Sequence, residues 1–149
     1  MKLFQIEEPE GSPLDAAEGP GAAVGIEVAP GGIGRVAIAI GGNGEILPDA
    51  DGARTLQAPD MAALLLGLRS RAEKQLARPV THAVIAADAA ERGRLDAVAR
   101  AASLTILRVI DRGEAAAMAK GAAAEEAAAL GAAIVAEDAM PEQPLTGQV

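Results

Sequence analysis

The chain has no cysteine, no tryptophan, no tyrosine, a single phenylalanine (Phe4) and a single histidine (His82). Without cysteine there is no thiolate nucleophile, no disulfide and no thiolate-ligated zinc or iron–sulfur cluster. With so few aromatic rings, stacking on bases or sugars is removed as a recognition device. One imidazole is too few for a histidine-based metal site. Positive charge is scarce as well, with 13 Lys and Arg against 21 Asp and Glu and a net charge of −8. Phosphate affinity comes from clustered cations, so a nucleic-acid partner is disfavoured. No apolar run reaches the roughly 18 residues needed to cross a bilayer. The opening MKLFQIEEPEG carries acids where a secretory signal has a basic segment. These absences lead us to expect a soluble cytoplasmic protein without membrane or nucleic-acid partners.

What the chain does have is alanine, 37 of its 149 residues. About half of the apolar content is therefore single methyl groups. Such a core is modest and must be packed by close approach of backbones rather than by bulk. Residues 1–22 hold three Pro, three Gly and five acids with no sustained period, and read as a flexible tail interrupted by Leu3, Phe4 and Ile6. Residues 23–137 read as the folded core, and 138–149 as a second flexible tail.

Within the core, Val24, Ile26 and Val28 alternate with Gly25, Glu27 and Ala29, the period expected of a strand buried on one face. Glycine turns at 30–34 and 41–44 separate it from strands at Arg35–Ile40 and around Glu45–Leu47, giving an antiparallel meander. Residues 48–57 read as loop. Pro59 and Asp60 open an amphipathic helix that buries Met61, Leu64, Leu65, Leu68, Ala72 and Leu76 and ends before Pro79. Thr81–Ala87 is a strand holding His82. Asp88 with Glu91 has capping-box spacing and opens a helix burying Leu95, Val98, Ala99 and Ala102. Leu104–Ile110 is nearly all apolar, which suits an interior parallel strand covered on both faces. Asp111 and Glu114 repeat the cap spacing before a helix through Lys120. Ala122–Glu137 is a last helix, with Leu130 and Ile134 as its large buried candidates and Gly131 permitting another backbone to come close. The order is strand, strand, strand, helix, strand, helix, strand, helix, helix. We therefore expect an α/β single subdomain with a five-stranded mixed sheet, ribonuclease-H-like (actin-like ATPase) in architecture.

Several stretches, in a common order, resemble the ATPase domain of DnaK-type heat-shock chaperones, and within them the HscA-like branch that serves iron–sulfur cluster assembly. LFQIEEPEGSP is similar to the short HscA leader. Ala23-Val24-Gly25-Ile26-Glu27 falls where the family begins its first strand, and Ile46-Leu47-Pro48-Asp49-Ala50-Asp51-Gly52 resembles the loop after its first strands. Pro59–Ile85, Arg92–Ile110, Ala115–Gly121 and Glu125–Ile134 resemble successive later elements. Relative to the family, an insert with the phosphate-contacting lysine is missing after Ala53. The whole second ATPase lobe is missing after Gly121, and so is the peptide-binding domain.

The resemblance implies a site at Glu27, Gly31, Gly32 and Gly34, where the family has a magnesium-holding acid and a phosphate loop. Here both loop threonines are gone and Pro30 offers no N–H. Glu27 admits a second reading as the exposed face of a half-buried strand, and the glycines a second reading as a plain hairpin turn. Where the family has a hydrolytic glutamate, the segment is Asp111-Arg112-Gly113-Glu114, with a base in place of the acid; Asp111 and Glu114 read equally as helix caps. His82 reads as a structural imidazole. No catalytic residue and no metal ligand is assigned. Phosphoryl transfer needs several walls at once. The expectation is thus a non-catalytic, chaperone-related interaction module, degenerate as an ATPase, that binds a protein partner or self-associates. The alternative is a residual binder of ATP or ADP with magnesium, completed by oligomerisation.

Overall fold

The structure, a computed structural model, describes residues 21–140, so most of the two stretches read as tails lies outside the described residues. Its elements are β1 (Ala22–Ala29), β2 (Ile33–Ile40), β3 (Asn43–Ile46), β4 (Leu56–Gln57), α1 (Met61–Leu76), β5 (Val80–Ala87), α2 (Ala89–Arg92), α3 (Leu95–Ala101), β6 (Thr105–Ile110), α4 (Arg112–Met118) and α5 (Ala127–Ala139). The fold is mixed α/β around one open sheet of order β3-β2-β1-β5-β6, with the short β4 joined to β2. β1, β2 and β3 pair antiparallel, whereas β5 and β6 extend the sheet from β1 in parallel.

Helices cover both faces. On one, Val24, Ile26 and Val28 of β1 share a cluster with Leu64, Leu65 and Leu68 of α1 and Leu95 and Ala99 of α3. On the other, α5 lies across the sheet and buries Ala128, Ala129, Ala132, Ala133 and Ala136 against Ala37, Ala39, Val84 and Ala86. β1 is therefore buried on both faces, not on one. The reason is Gly25, which the alternation alone places outward: a Cβ built there would strike the backbone of α5 at Ala132 and Ala133. The same device joins α4 to α5, where a Cβ on Gly131 would run into the carbonyl of Ala115. The large residues of α5 are correspondingly not its buried ones. Leu130 and Ile134 are only partly covered, and the alanines make the seam.

Turn chemistry sets the register of the meander. The Gly41-Gly42 turn has φ of 63° and 83°, and a two-residue hairpin of the left-handed type asks for positive φ at both positions. It brings Ile40 opposite Asn43. The Glu137 carboxylate on α5 accepts from both turn amides, at 2.7 and 2.9 Å, tying the hairpin to the helix. The β1–β2 turn leaves Ala29 opposite Ile33 and Glu27 opposite Arg35.

Three expectations need correction. Among the described residues β6 is not an interior strand but the last strand of the sheet, and Thr105 and Arg108 are exposed. Its apolar residues face the two helical layers, which makes an edge strand look interior in sequence. The helix expected from Asp88 is broken into α2 and α3, and the Asp88 side chain caps neither; its carboxylate is drawn to an arginine described below. The segment 48–57 contains β4, which pairs Leu56 and Gln57 with Gly34 and Ile33.

The Gly25 contact yields a sharp contrast. Gly25→Ala must push a helix backbone off the sheet, and we expect a loss of about 3 kcal/mol or more. Gly93→Ala has open space and a φ of −64°, so it should be neutral or stabilising by about 0.4–1 kcal/mol. Urea denaturation of the two variants checks this.

Candidate functional site: a doubly paired carboxylate at the strand ends

Glu27 lies near the carboxyl end of β1 and is 2% exposed, so it is not the outward face of a half-buried strand. Its two ion-pair partners come from β2 and α4. Arg35 sits directly opposite in the β1–β2 ladder and donates from Nη1 to Glu27 Oε1 at 2.8 Å. Arg112, the first residue of α4, donates from Nε to Glu27 Oε2 at 3.1 Å and from Nη1 to Asp88 Oδ2 at 3.0 Å. Asp88 follows the last residue of β5, and Arg112 comes two residues after the end of β6. The network thus gathers at the carboxyl ends of three adjacent parallel strands, the place where open α/β sheets carry their ligand sites.

Local chemistry fixes Arg112. The Asp111 carboxylate accepts from the Gly113 amide at 2.9 Å, and the Asp111 amide donates to Glu114 Oε1 at 3.3 Å. This reciprocal cap is the one the spacing predicts, and it sets the helix start so that Arg112 projects back over the sheet. Burial works against the charge on Arg112, but its hydrogen bonds to Glu27 and Asp88 outweigh that and raise its pKa further. The guanidinium stays charged, with its fork spanning two carboxylates.

An open cavity of about 540 Å³ adjoins the network and is lined by Glu27, Arg35, Asp88, Arg112 and Glu125, with alanines of α4 and α5 behind them. Arg35 Nε is buried beside it without a partner among the described residues. Gly31 and Gly32 do not share this cavity. With φ of 84° and 76° they form the β1–β2 turn and border a smaller space of about 240 Å³ with Asp60, Met61 and Arg94. Gly34 belongs to neither: it is inside β2, opposite Val28, under the methyls of Leu64 and Leu68. The structure therefore separates the four residues that the resemblance groups together. His82 pairs through Nδ1 with Thr81 Oγ1 at 2.7 Å, in β5.

As a seat for magnesium the donor set does not fit. Both Glu27 oxygens are engaged by guanidinium, and the second acid, Asp88, is bridged by the same Arg112. Among the described residues, no group of three or more His, Cys, Asp or Glu side chains is arranged to hold a metal. The arrangement is an internal cation between two carboxylates. Arg35 was missed in sequence, although a hairpin centred on Gly31 places it across from Glu27. The spacing to Glu91 marks Asp88 only as a cap.

A second ion pair stands at the start of α5, next to the cavity-lining Glu125. Arg54, in the loop before β4, reaches Glu126 with Nε at 2.6 Å and Nη2 at 3.0 Å. The hydrogen bond from Arg54 holds the Glu126 carboxyl below its ordinary value.

No protein-family model matches the chain, and a comparison with curated proteins finds no significant relative.

Two predictions follow the charges. Arg35→Met leaves Glu27 buried with one of its two partners gone, and we expect a loss of about 3 kcal/mol in chemical denaturation. Arg112 is more exposed, at 31% against 14% for Arg35, so Arg112→Met should cost less. For Glu126, a folded-state pKa below the unfolded value stabilises above the unfolded pKa, and that contribution disappears as pH falls through the folded one. Arg54→Ala should therefore be less stable than the parent at neutral pH, and the gap should shrink as the pH drops below the ordinary 4.5. Thermal melts across pH 3–7 measure it.

Proposed function

We propose that this chain is a non-catalytic interaction module built on a ribonuclease-H-like (actin-like ATPase) subdomain, akin to the HscA-like branch of DnaK-type chaperones. In this reading it serves iron–sulfur cluster assembly or protein folding by binding a protein partner or a second copy of itself. The observation that carries the proposal is the Glu27 clamp. Both carboxylate oxygens are taken by Arg35 and Arg112, so the position at which the resembled family holds magnesium already contains a protein cation. The sheet order, with three antiparallel strands followed by two parallel ones, is what that subdomain would have. A scaffold kept beside a self-neutralised cleft suits recognition better than phosphoryl transfer, which depends on metal and positioned charges.

The competing reading, a residual Mg–ATP or Mg–ADP binder, draws on one observation: the positive-φ turn Gly31-Gly32 borders a cavity that also meets Arg94. A backbone turn of this kind can present amides to an anion. Against it, Asp60 and Glu91 line the same space and repel phosphate.

A thermal-shift titration separates the two. Ligand stabilisation grows with concentration over Kd, so the interaction-module reading expects no change in Tm with millimolar Mg–ATP or Mg–ADP. A saturable rise in Tm with either would overturn it.

A further inference from the structure

Asn43 is the chain's single asparagine, and a glycine follows it. Glycine has no Cβ to hinder the approach of its nitrogen to another group, so at this dipeptide the main chain most readily attacks its own side-chain amide. Both residues are exposed and belong to the four-residue β3, whose strand partner among the described residues is β2 alone.

The ladder decides whether the attacking nitrogen is free. Opposed residues in an antiparallel pair alternate between those that exchange hydrogen bonds and those that do not. Leu47 donates to the Val36 carbonyl at 2.9 Å. Counting back from that bonded pair along the register, Ile38–Glu45 and Ile40–Asn43 are bonded as well, and Gly44 opposite Ala39 falls between them. The Gly44 N–H therefore points away from β2. Asp51-Gly52 is a chemically similar dipeptide without this freedom, because the Gly52 N–H donates to the Asp49 carbonyl at 2.8 Å.

We propose that Asn43-Gly44 is a site of spontaneous deamidation, with Glu137 as the positioning residue that sets its rate. The deprotonated Gly44 nitrogen attacks the side-chain carbonyl carbon of Asn43. A C–N bond forms, a cyclic imide closes, and the side-chain nitrogen leaves as ammonia. Water then opens the imide at one carbonyl or the other, giving aspartate or isoaspartate.

In an extended strand the two reacting atoms cannot meet, so the hairpin tip must first open, and local opening is easiest where few buried contacts are lost. What holds the tip is the Glu137 carboxylate, which accepts from the Gly41 and Gly42 amides at 2.7 and 2.9 Å. That clamp is exposed, and it sits in the last turn of α5, where the helix dipole disfavours a negative charge.

Isoaspartate adds a methylene to the main chain ahead of Gly44 and turns the Asn43 main-chain carbonyl into a free carboxylate. β3 then cannot keep its register with β2 and also hold Ile46, 3% exposed, in its cluster with Ala37, Ala39, Ala129 and Ala133. The reaction loosens this edge of the sheet with time, whatever the chain binds.

Incubating the full-length protein at neutral and mildly alkaline pH, then separating aspartate from isoaspartate by peptide mass spectrometry, tests it. The parent should convert at residue 43, faster at higher pH because the attacking nitrogen must lose a proton. Glu137→Ala should convert roughly two- to tenfold faster, the factor that corresponds to the net worth of a hydrogen bond. In concentrated urea, where no clamp exists, the two should convert at equal rates. Leu95→Ala, which weakens the core on the other face of the sheet, should leave the native rate unchanged. A native parent that does not convert while its urea-unfolded form does overturns the proposal. So do equal native rates in the parent and Glu137→Ala, or an acceleration by Leu95→Ala as large as that by Glu137→Ala, which would route the reaction through global unfolding.

Discussion

A carboxylate buried under a helix at the end of a central strand must be paired, because an isolated ionised group in that setting costs many kilocalories. Glu27 is that group, and the site is arranged around meeting its need. One partner comes from the neighbouring strand, where the β1–β2 register places Arg35 directly opposite. The other comes from α4, where the Asp111 and Glu114 cap aims Arg112 back over the sheet. Arg112 also binds Asp88 after β5, so one guanidinium joins the ends of β1 and β5 to the helix that follows β6.

The packing around the network follows from the scarcity of large side chains. With no bulky residues to spare, the second face of the sheet is closed by letting α5 touch it at backbone distance, through Gly25 on β1 and alanines on both sides. α4 then locks to α5 through Gly131. Small residues bring dispersion contacts only when they are close, so this seam tolerates little added volume. The cavity beside Glu27 is lined in part by the same small residues, Ala116 of α4 and Ala128 of α5.

Much of the fold was legible in the sequence, for reasons that can be named. The meander followed from glycine pairs whose conformation only glycine adopts cheaply, and α1 from its apolar spacing and the Pro59-Asp60 start. The Asp111 cap was visible because its two partners are three residues apart. Long-range contacts were not legible. Gly25 looks like an outward position until α5 is known to lie on it. β6 looks interior because both of its faces are covered, and nothing local marks it as the last strand among the described residues. The pairing of Glu27 with Arg112 spans 85 positions, and no periodicity reports it. The Asp88 and Glu91 spacing misled for a related reason: the same carboxylate had a stronger partner in Arg112, and charge won over capping.

The account rests on Arg35 and Arg112 acting as the internal cations of the Glu27 site. NMR of the arginine Nε–H groups observes this directly. The account predicts a slowly exchanging Arg112 Nε–H that couples across its hydrogen bond to Glu27 and is unmoved by millimolar magnesium. An Arg112 Nε–H that exchanges as fast as that of a solvent-exposed arginine, or that is released when magnesium is added, would contradict it.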